Sequence, residues 1–183
     1  MATAAKTVTY REWLRMPVVS DAIEEVVNGE IRTMPPNKQP HAFTVEELAE
    51  IIRARIDRKQ ARVLIANFGL VIRREPLTSR VPDLILYRTE NAVWIDGYLH
   101  SAPELAVEVL SPSETRGERL DKLADYAAIG VPEVWFLSPE AQTVEIFRLV
   151  EGALKSVDVL TAGKLSPIHF PLVSIDIERI WPS

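Results

Sequence analysis

Two carboxylates stand where soluble chains rarely place them. Asp83 opens the apolar run PDLILY (82–87), and Glu108 lies near the end of PELAVEVL (103–110). Both runs have the length and composition of strands, and the first is opened by proline, a position proline tolerates. A carboxylate is almost never buried without a partner, so each needs an arginine, backbone donors or a cation. If the two strands are antiparallel neighbours, the start of one lies beside the end of the other, and Asp83 and Glu108 meet at one edge of the sheet. Carboxylates that close repel unless a cation or a shared proton relieves them. A hard divalent ion with oxygen ligands answers that need, and magnesium commonly takes one or two carboxylates plus a phosphate. Lys122 is the third candidate, on a helix after Glu108 and in line with Tyr126 and Ile129 at i+4 and i+7. A lone lysine bordering an apolar face is more often a snorkelling side chain with a wet ammonium. Two acids directly ahead of the helix favour a site.

The elements that must position these residues follow from periodicity. Residues 8–15 read as a short helix and 22–34 as two strands around the hairpin dipeptide Asn28-Gly29. PPNKQP (35–40) reads as a loop. Thr44 with Glu47 fits a capping box, which starts a helix near Thr44 that carries Val45, Leu48, Ile51 and Ile52 on one face. Residues 62–74 read as one long strand or two broken near Gly69. Residues 117–129 read as a helix with Leu120, Leu123, Ala124, Ala127 and Ala128 as its apolar face, ended by Gly130 and Pro132. EVWFLS (133–138) is a central strand with 143–149 as its hairpin partner, and 154–183 holds short strands. The unit from 103 to 138 should be a crossover that leaves its two strands parallel. The expected fold class is α/β (α+β), a mixed β-sheet flanked by helices. One domain is expected, with 1–40 as an N-terminal extension carrying the hairpin, 41–150 as the core and 151–183 as C-terminal strands.

Composition bounds the function. The chain has 183 residues, 47% hydrophobic and 26% charged, which is globular and not disordered. Cysteine is absent, which removes disulfides, thiolate metal sites and cysteine nucleophiles. No run approaches a membrane span and no signal-like apolar stretch opens the chain, so a cytoplasmic protein is expected. The net charge is −5, yet residues 53–80 carry eight basic groups (Arg53, Arg55, Arg58, Lys59, Arg62, Arg73, Arg74 and Arg80) against two acidic ones. That segment is either a solvated face or a contact for phosphate. Ser111 and Ser113 flank Pro112 without a nucleophile elbow, which argues against a serine hydrolase. The four tryptophans are expected in the core and interfaces.

Taken in order, VPDL (81–84), VEVLSPS (107–113), ERLDKLADY (118–126) and GVPEVW (130–135), with EVVNGEI (25–31), MPP (34–36) and His41 upstream, resemble one restriction-endonuclease family long catalogued as a domain of unknown function. That family sits within the PD-(D/E)xK nuclease superfamily. The resemblance implies a restriction-endonuclease-like core and a metal-dependent endonuclease hydrolysing DNA phosphodiester bonds. It implies Asp83 and Glu108 as metal-binding acids, the backbone carbonyl of Val109 as a further ligand, and Mg2+ or Mn2+ as cofactor. The superfamily's lysine usually stands two residues after the glutamate; here that position is Leu110, and Lys122 matches the displaced lysine of the family resembled. Tyr126 matches the aromatic residue that follows. Glu118 stands where the family usually has aspartate, Glu25 is a candidate for a supporting role, and His41, in the loop before the helix, is either a site residue or a hydrogen-bonded loop histidine. DNA is the implied partner and a homodimer is expected. Two other readings stay open: a nuclease fold without catalysis serving as an interaction module, and a metal-dependent hydrolase of another substrate.

Overall fold

The computed structural model describes residues 7–17, 22–34, 36–65 and 68–182. Thr9 and Glu12 close a capping box around one helical turn, α1 (Tyr10–Trp13), shorter than the expected helix. Strands β1 (Ile23–Val27) and β2 (Glu30–Met34) pair antiparallel across a turn in which Asn28 and Gly29 have φ of 53° and 81°. Two positive φ values match the right-handed twist of the flanking strands, which is why Asn-Gly fits there.

Helix α2 (Gln39–Arg53) begins five residues earlier than the Thr44 capping box implies. Pro40 sits in its first turn, where the missing N–H costs nothing and the fixed φ suits a helix. Thr44 is buried inside the helix and its hydroxyl donates to the Pro40 carbonyl, 3.0 Å away. His41 therefore rides on the first turn of α2 and not in a preceding loop. Of the PP pair, Pro35 lies outside the described residues.

The run 62–74 divides into β3 (Ala61–Ile65) and β4 (Leu70–Arg74), with Ala66 and Asn67 outside the described residues. The two pieces join different sheets. The chain continues through β5 (Leu77–Arg80), β6 (Leu84–Arg88), the two-residue strands β7 (Trp94–Ile95) and β8 (Tyr98–Leu99), β9 (Leu105–Val109), α3 (Arg116–Ile129), β10 (Glu133–Ser138), β11 (Thr143–Val150), β12 (Ala153–Leu160), β13 (Lys164–Leu165) and β14 (Ile175–Asp176). The β7–β8 hairpin turns on Asp96-Gly97, with φ of 53° and 85°, a dipeptide signal the periodicity reading passed over.

The fold is mixed α+β with two six-stranded sheets. One has the order β2-β1-β5-β4-β8-β7, and the other β12-β11-β10-β9-β6-β3; β13 and β14 form a separate ribbon. In the second sheet β9 and β10 are parallel around α3, as the crossover requires, and every other neighbouring pair is antiparallel. Alternation along β6 and β9 splits their side chains between two layers. Leu84, Leu86, Leu105 and Val107 face a core shared with Leu48, Ile51 and Ile52 of α2. Ile85 and Ala106 face the opposite core, with Leu123 and Tyr126 of α3 and with Leu70 and Leu99 of the other sheet.

Helix α3 turns a different face inward from the one its alanines suggest. Leu123, Asp125 and Tyr126 are buried, Lys122 and Ile129 are partly buried, and Leu120 is 55% exposed. The buried stripe is thus the lysine–tyrosine stripe, because its polar ends find partners in the acids beneath it. Trp135 and Trp181 are buried, whereas Trp94 lies exposed on the hairpin.

Candidate active site

The register of β6 against β9 pairs Leu84 with Val107 and Ile85 with Ala106, so one step outward sets Asp83 opposite Glu108. Directly opposed residues of an antiparallel pair share a face with neighbouring Cβ atoms. The two acids therefore meet at the edge of the sheet, on the face that α3 covers. Asp83 Oδ2 accepts the backbone N–H of Val109 at 2.7 Å and lies 3.1 Å from His41 Nε2. Its other oxygen has no hydrogen-bond partner among the described residues. The Val109 carbonyl lies on the same edge of its strand as the N–H that reaches Asp83.

Glu108 is buried and held at both oxygens. Lys122 Nζ lies 2.7 Å from its Oε2, and the Tyr126 hydroxyl donates to its Oε1. Burial pushes the Glu108 carboxyl up to about 7; Lys122 pulls it down, while the neighbouring charges of Asp83 and Glu25 push it further up. Burial also pulls on Lys122, but Glu108 and Glu114 outweigh it and hold the ammonium protonated well above its ordinary range. Glu114 Oε1 completes that clamp at 2.9 Å. Tyr126 is raised well above its ordinary value, first by burial and then by the charge of Glu108.

A second ion network lies against the first. Arg80, at the end of β5, is buried between Glu25 of β1 and Asp125 of α3. Its Nη1 is 2.8 Å from Glu25 Oε2, its Nη2 2.7 Å from Asp125 Oδ2, and its Nε donates to the same Asp125 oxygen at 2.8 Å. Glu25 Oε1 also accepts the Val81 N–H at 2.9 Å. Taken together, five carboxylates (Glu25, Asp83, Glu108, Glu114 and Asp125) face two fixed cations, Arg80 and Lys122.

The sequence-derived residues thus come together: Asp83, Glu108 and Lys122 form one cluster, with His41, Tyr126 and Glu25 touching it or adjoining it. Glu118 does not join; it is the third residue of α3 and closes a capping box with Thr115. Ser111 and Ser113 are exposed and lie within hydrogen-bonding distance of each other. Arg80, counted among candidate phosphate contacts, is instead enclosed by two carboxylates. The sequence reading did not single out Glu114 or Asp125, and it did not place Arg80 in this cluster. Asp125 carried a usable signal, since it lies three residues from Lys122 on the same face; Arg80 and Glu114 carried none.

Among the described residues no group of three or more His, Cys, Asp or Glu side chains is arranged to hold a metal ion. Asp83, Glu108 and the Val109 carbonyl would together offer a cation only hard oxygens. Such a set suits magnesium or manganese completed by water and phosphate, and not zinc. The surplus of negative charge and the unpartnered oxygen of Asp83 fit a divalent cation.

An antiparallel strand pair that sets an aspartate against a glutamate, with a lysine from the following helix, defines the restriction-endonuclease-like class. The chain belongs to the Uma2 family, described as "Putative restriction endonuclease", whose family model matches residues 10–178. It is also similar to a crystal structure described as a putative nuclease belonging to DUF820 from Anabaena variabilis. That likeness has a TM-score of 0.78 at 19% identity and covers 95% of this chain and 97% of the other, which speaks for the fold. No curated protein matches the sequence.

Proposed function

We propose that this chain is a metal-dependent endonuclease that hydrolyses DNA phosphodiester bonds through Asp83, Glu108 and Lys122. The observation that carries the reading is the charge imbalance: Glu25, Asp83, Glu108, Glu114 and Asp125 against Arg80 and Lys122 leave a surplus of three negative charges once the buried Glu108 ionises. A divalent cation beside a phosphodiester removes that imbalance. Asp83, Glu108 and the Val109 carbonyl would hold Mg2+ or Mn2+. When bound, the ion supplies polarisation of the scissile phosphate and a lowered pKa for a coordinated water.

The chain's own groups do the positioning. Tyr126 and Lys122 fix the plane of the Glu108 carboxylate from both sides, and the Val109 N–H with His41 fixes Asp83. The Lys122 ammonium remains charged and donates toward the attacking water or the developing phosphoryl charge. Preorganised donors of that kind are worth a few kcal/mol in the transition state. Glu114 holds the ammonium in place and would keep it from collapsing wholly onto Glu108.

A cytoplasmic homodimer is the companion proposal. No helix among the described residues is long and apolar enough to cross a membrane. Strand β12 ends its sheet and carries exposed Val157 and Val159, an edge that supports self-association. A single monomer-sized species in sedimentation at micromolar concentration overturns the dimer.

Calorimetric titration of Mn2+ into metal-free protein tests the cation site. The wild type is expected to bind, and Asp83→Asn is expected to lose that binding. A wild type that takes up no ion at millimolar concentration, or an Asp83→Asn variant that binds like it, sinks the metal reading.

A further inference from the structure

The basic stretch from 53 to 80 does not act as one surface. Arg80 is enclosed by Glu25 and Asp125. Arg55 Nη1 donates to the Ile51 carbonyl at 2.9 Å, Arg73 bonds to Asn28 and the Pro76 carbonyl, and Arg74 lies over the Tyr10 ring at 4.5 Å. Three arginines remain. Arg53 at the end of α2, Arg58 in the following loop and Arg62 on β3 line one pocket of about 170 Å³, together with Ile56, Ala61 and Val63. Among the described residues none of these three guanidinium groups has a carboxylate within 4.0 Å or a hydrogen-bond partner.

The pocket is separate from the acids. Strand β3 pairs with β6 so that Ala61 is opposite Arg88 and Ile65 is opposite Leu84. The pocket therefore lies at the far end of β6 from Asp83. Five residues of strand at ~3.3 Å each put about 17 Å between them, too far for one phosphate to touch both.

We infer that the Arg53–Arg58–Arg62 pocket is a second anion site that takes a phosphate group, supplied by the backbone of a polynucleotide. Three arginines without a carboxylate partner border one half-open pocket, and the planar fork of arginine matches phosphate oxygens bidentately. The volume is below the roughly 300 Å³ of pockets that enclose drug-sized ligands, so it suits a single anionic group on a larger molecule. Because the chain as a whole carries −5, general attraction cannot hold a polyanion and a local cluster must do so. Arg62 also pairs across the strands with Tyr87, whose ring packs edge-on to the exposed Trp94 at 6.0 Å. Tyr87 lies on the sheet face opposite Ala61 and Val63, so this aromatic pair adjoins Arg62 alone among the residues of the pocket. The choice of a polynucleotide over a free phosphate compound rests on the nuclease reading; the pocket itself does not.

The test is fluorescence anisotropy of a labelled 20-base-pair duplex and of its single strand in EDTA, across a salt series. It compares wild type, Arg53→Gln/Arg58→Gln/Arg62→Gln, and a charge-matched control, Arg11→Gln/Arg15→Gln/Lys164→Gln. The pocket variant is expected to bind at least tenfold more weakly at low salt, with a log–log salt slope smaller by about 1, at ~0.9 per lost phosphate contact. The control is expected to stay within twofold of wild type, and thermal midpoints check that all three fold. A second arm uses pyrophosphate alone and reads the thermal midpoint. If pyrophosphate stabilises wild type but not the pocket variant, while duplex binds both equally, the phosphate site stands and its source is a free compound. If the pocket variant matches wild type in both arms, the inference is overturned. Arginine-dependent binding in a protein that never cleaves keeps this site and removes the nuclease reading alone.

Discussion

Replacing Glu108 with glutamine should stabilise the metal-free protein at alkaline pH and leave it nearly unchanged in mild acid. The carboxyl is pushed from its ordinary 4.5 up to about 7, first by burial and then by Asp83 and Glu25. A folded-state pKa above the unfolded one gives stability that is complete below 4.5 and lost as pH rises through 7. At ~1.4 kcal/mol per tenfold, the wild type carries a penalty of about 3 kcal/mol at pH 8 and less than about 1 kcal/mol at pH 5. Glutamine keeps acceptor and donor atoms for Lys122 and Tyr126 but has no charge to desolvate. For a chain of this length about 3 kcal/mol is roughly 6–12 °C in melting temperature. The assay is urea denaturation of both proteins in EDTA at pH 5, 6, 7 and 8, read as the difference between them. That difference should open mainly between pH 5 and 7 and then level off. Magnesium at pH 8 should raise the wild type toward the variant and leave the variant where it was. A difference that is the same at every pH, or a variant less stable at pH 8, refutes the reasoning.

Four further outcomes follow. Magnesium at a hundredfold excess over its Kd should add about 2.7 kcal/mol to wild-type stability and less than a third of that to Asp83→Asn, read by thermal melts with and without the ion. Lys122→Met should cost about 3–5 kcal/mol because it strands the buried charge of Glu108 beside Glu114; adding Glu108→Gln should recover much of it in a double-mutant cycle by denaturation. Arg80→Met should cost a similar amount by leaving Glu25 and Asp125 unpaired, whereas Arg11→Ala on the surface should stay within about 0.5 kcal/mol. On α3, Leu123→Ala should cost about 2–5 kcal/mol in the same assay and Leu120→Glu less than about 0.5 kcal/mol. The reverse order would mean that the helix buries its alanine face after all.

The candidate site was more legible in the sequence than the architecture around it. Asp83 and Glu108 announced themselves because a charge in an apolar run has few physical explanations, and period-two pairing then put them side by side. Lys122 was placed through its stripe with Tyr126. The same logic misjudged the helix: Leu120 and the alanines looked like the buried face, yet the polar stripe goes inward because Glu108, Glu114 and Arg80 supply its partners. Of those partners Arg80 lies 45 residues from Asp125, a separation at which local spacing carries no signal. The start of α2 was missed because a proline-rich string reads as a loop, although one proline in a first turn is favourable. The second sheet was missed for a related reason: β3 and β4 are contiguous and both apolar, and only tertiary packing sends them to different sheets.

The central claim is that Asp83, Glu108 and Lys122 hydrolyse phosphodiesters with a divalent ion. Its most direct test is cleavage of supercoiled plasmid by wild type, Asp83→Asn and Lys122→Ala in parallel, with Mg2+, with Mn2+ and in EDTA. The account predicts nicked and linear products from wild type only with metal, and at least a hundredfold less from either variant. Equal trace cleavage by all three proteins, or cleavage that persists in EDTA, would contradict it.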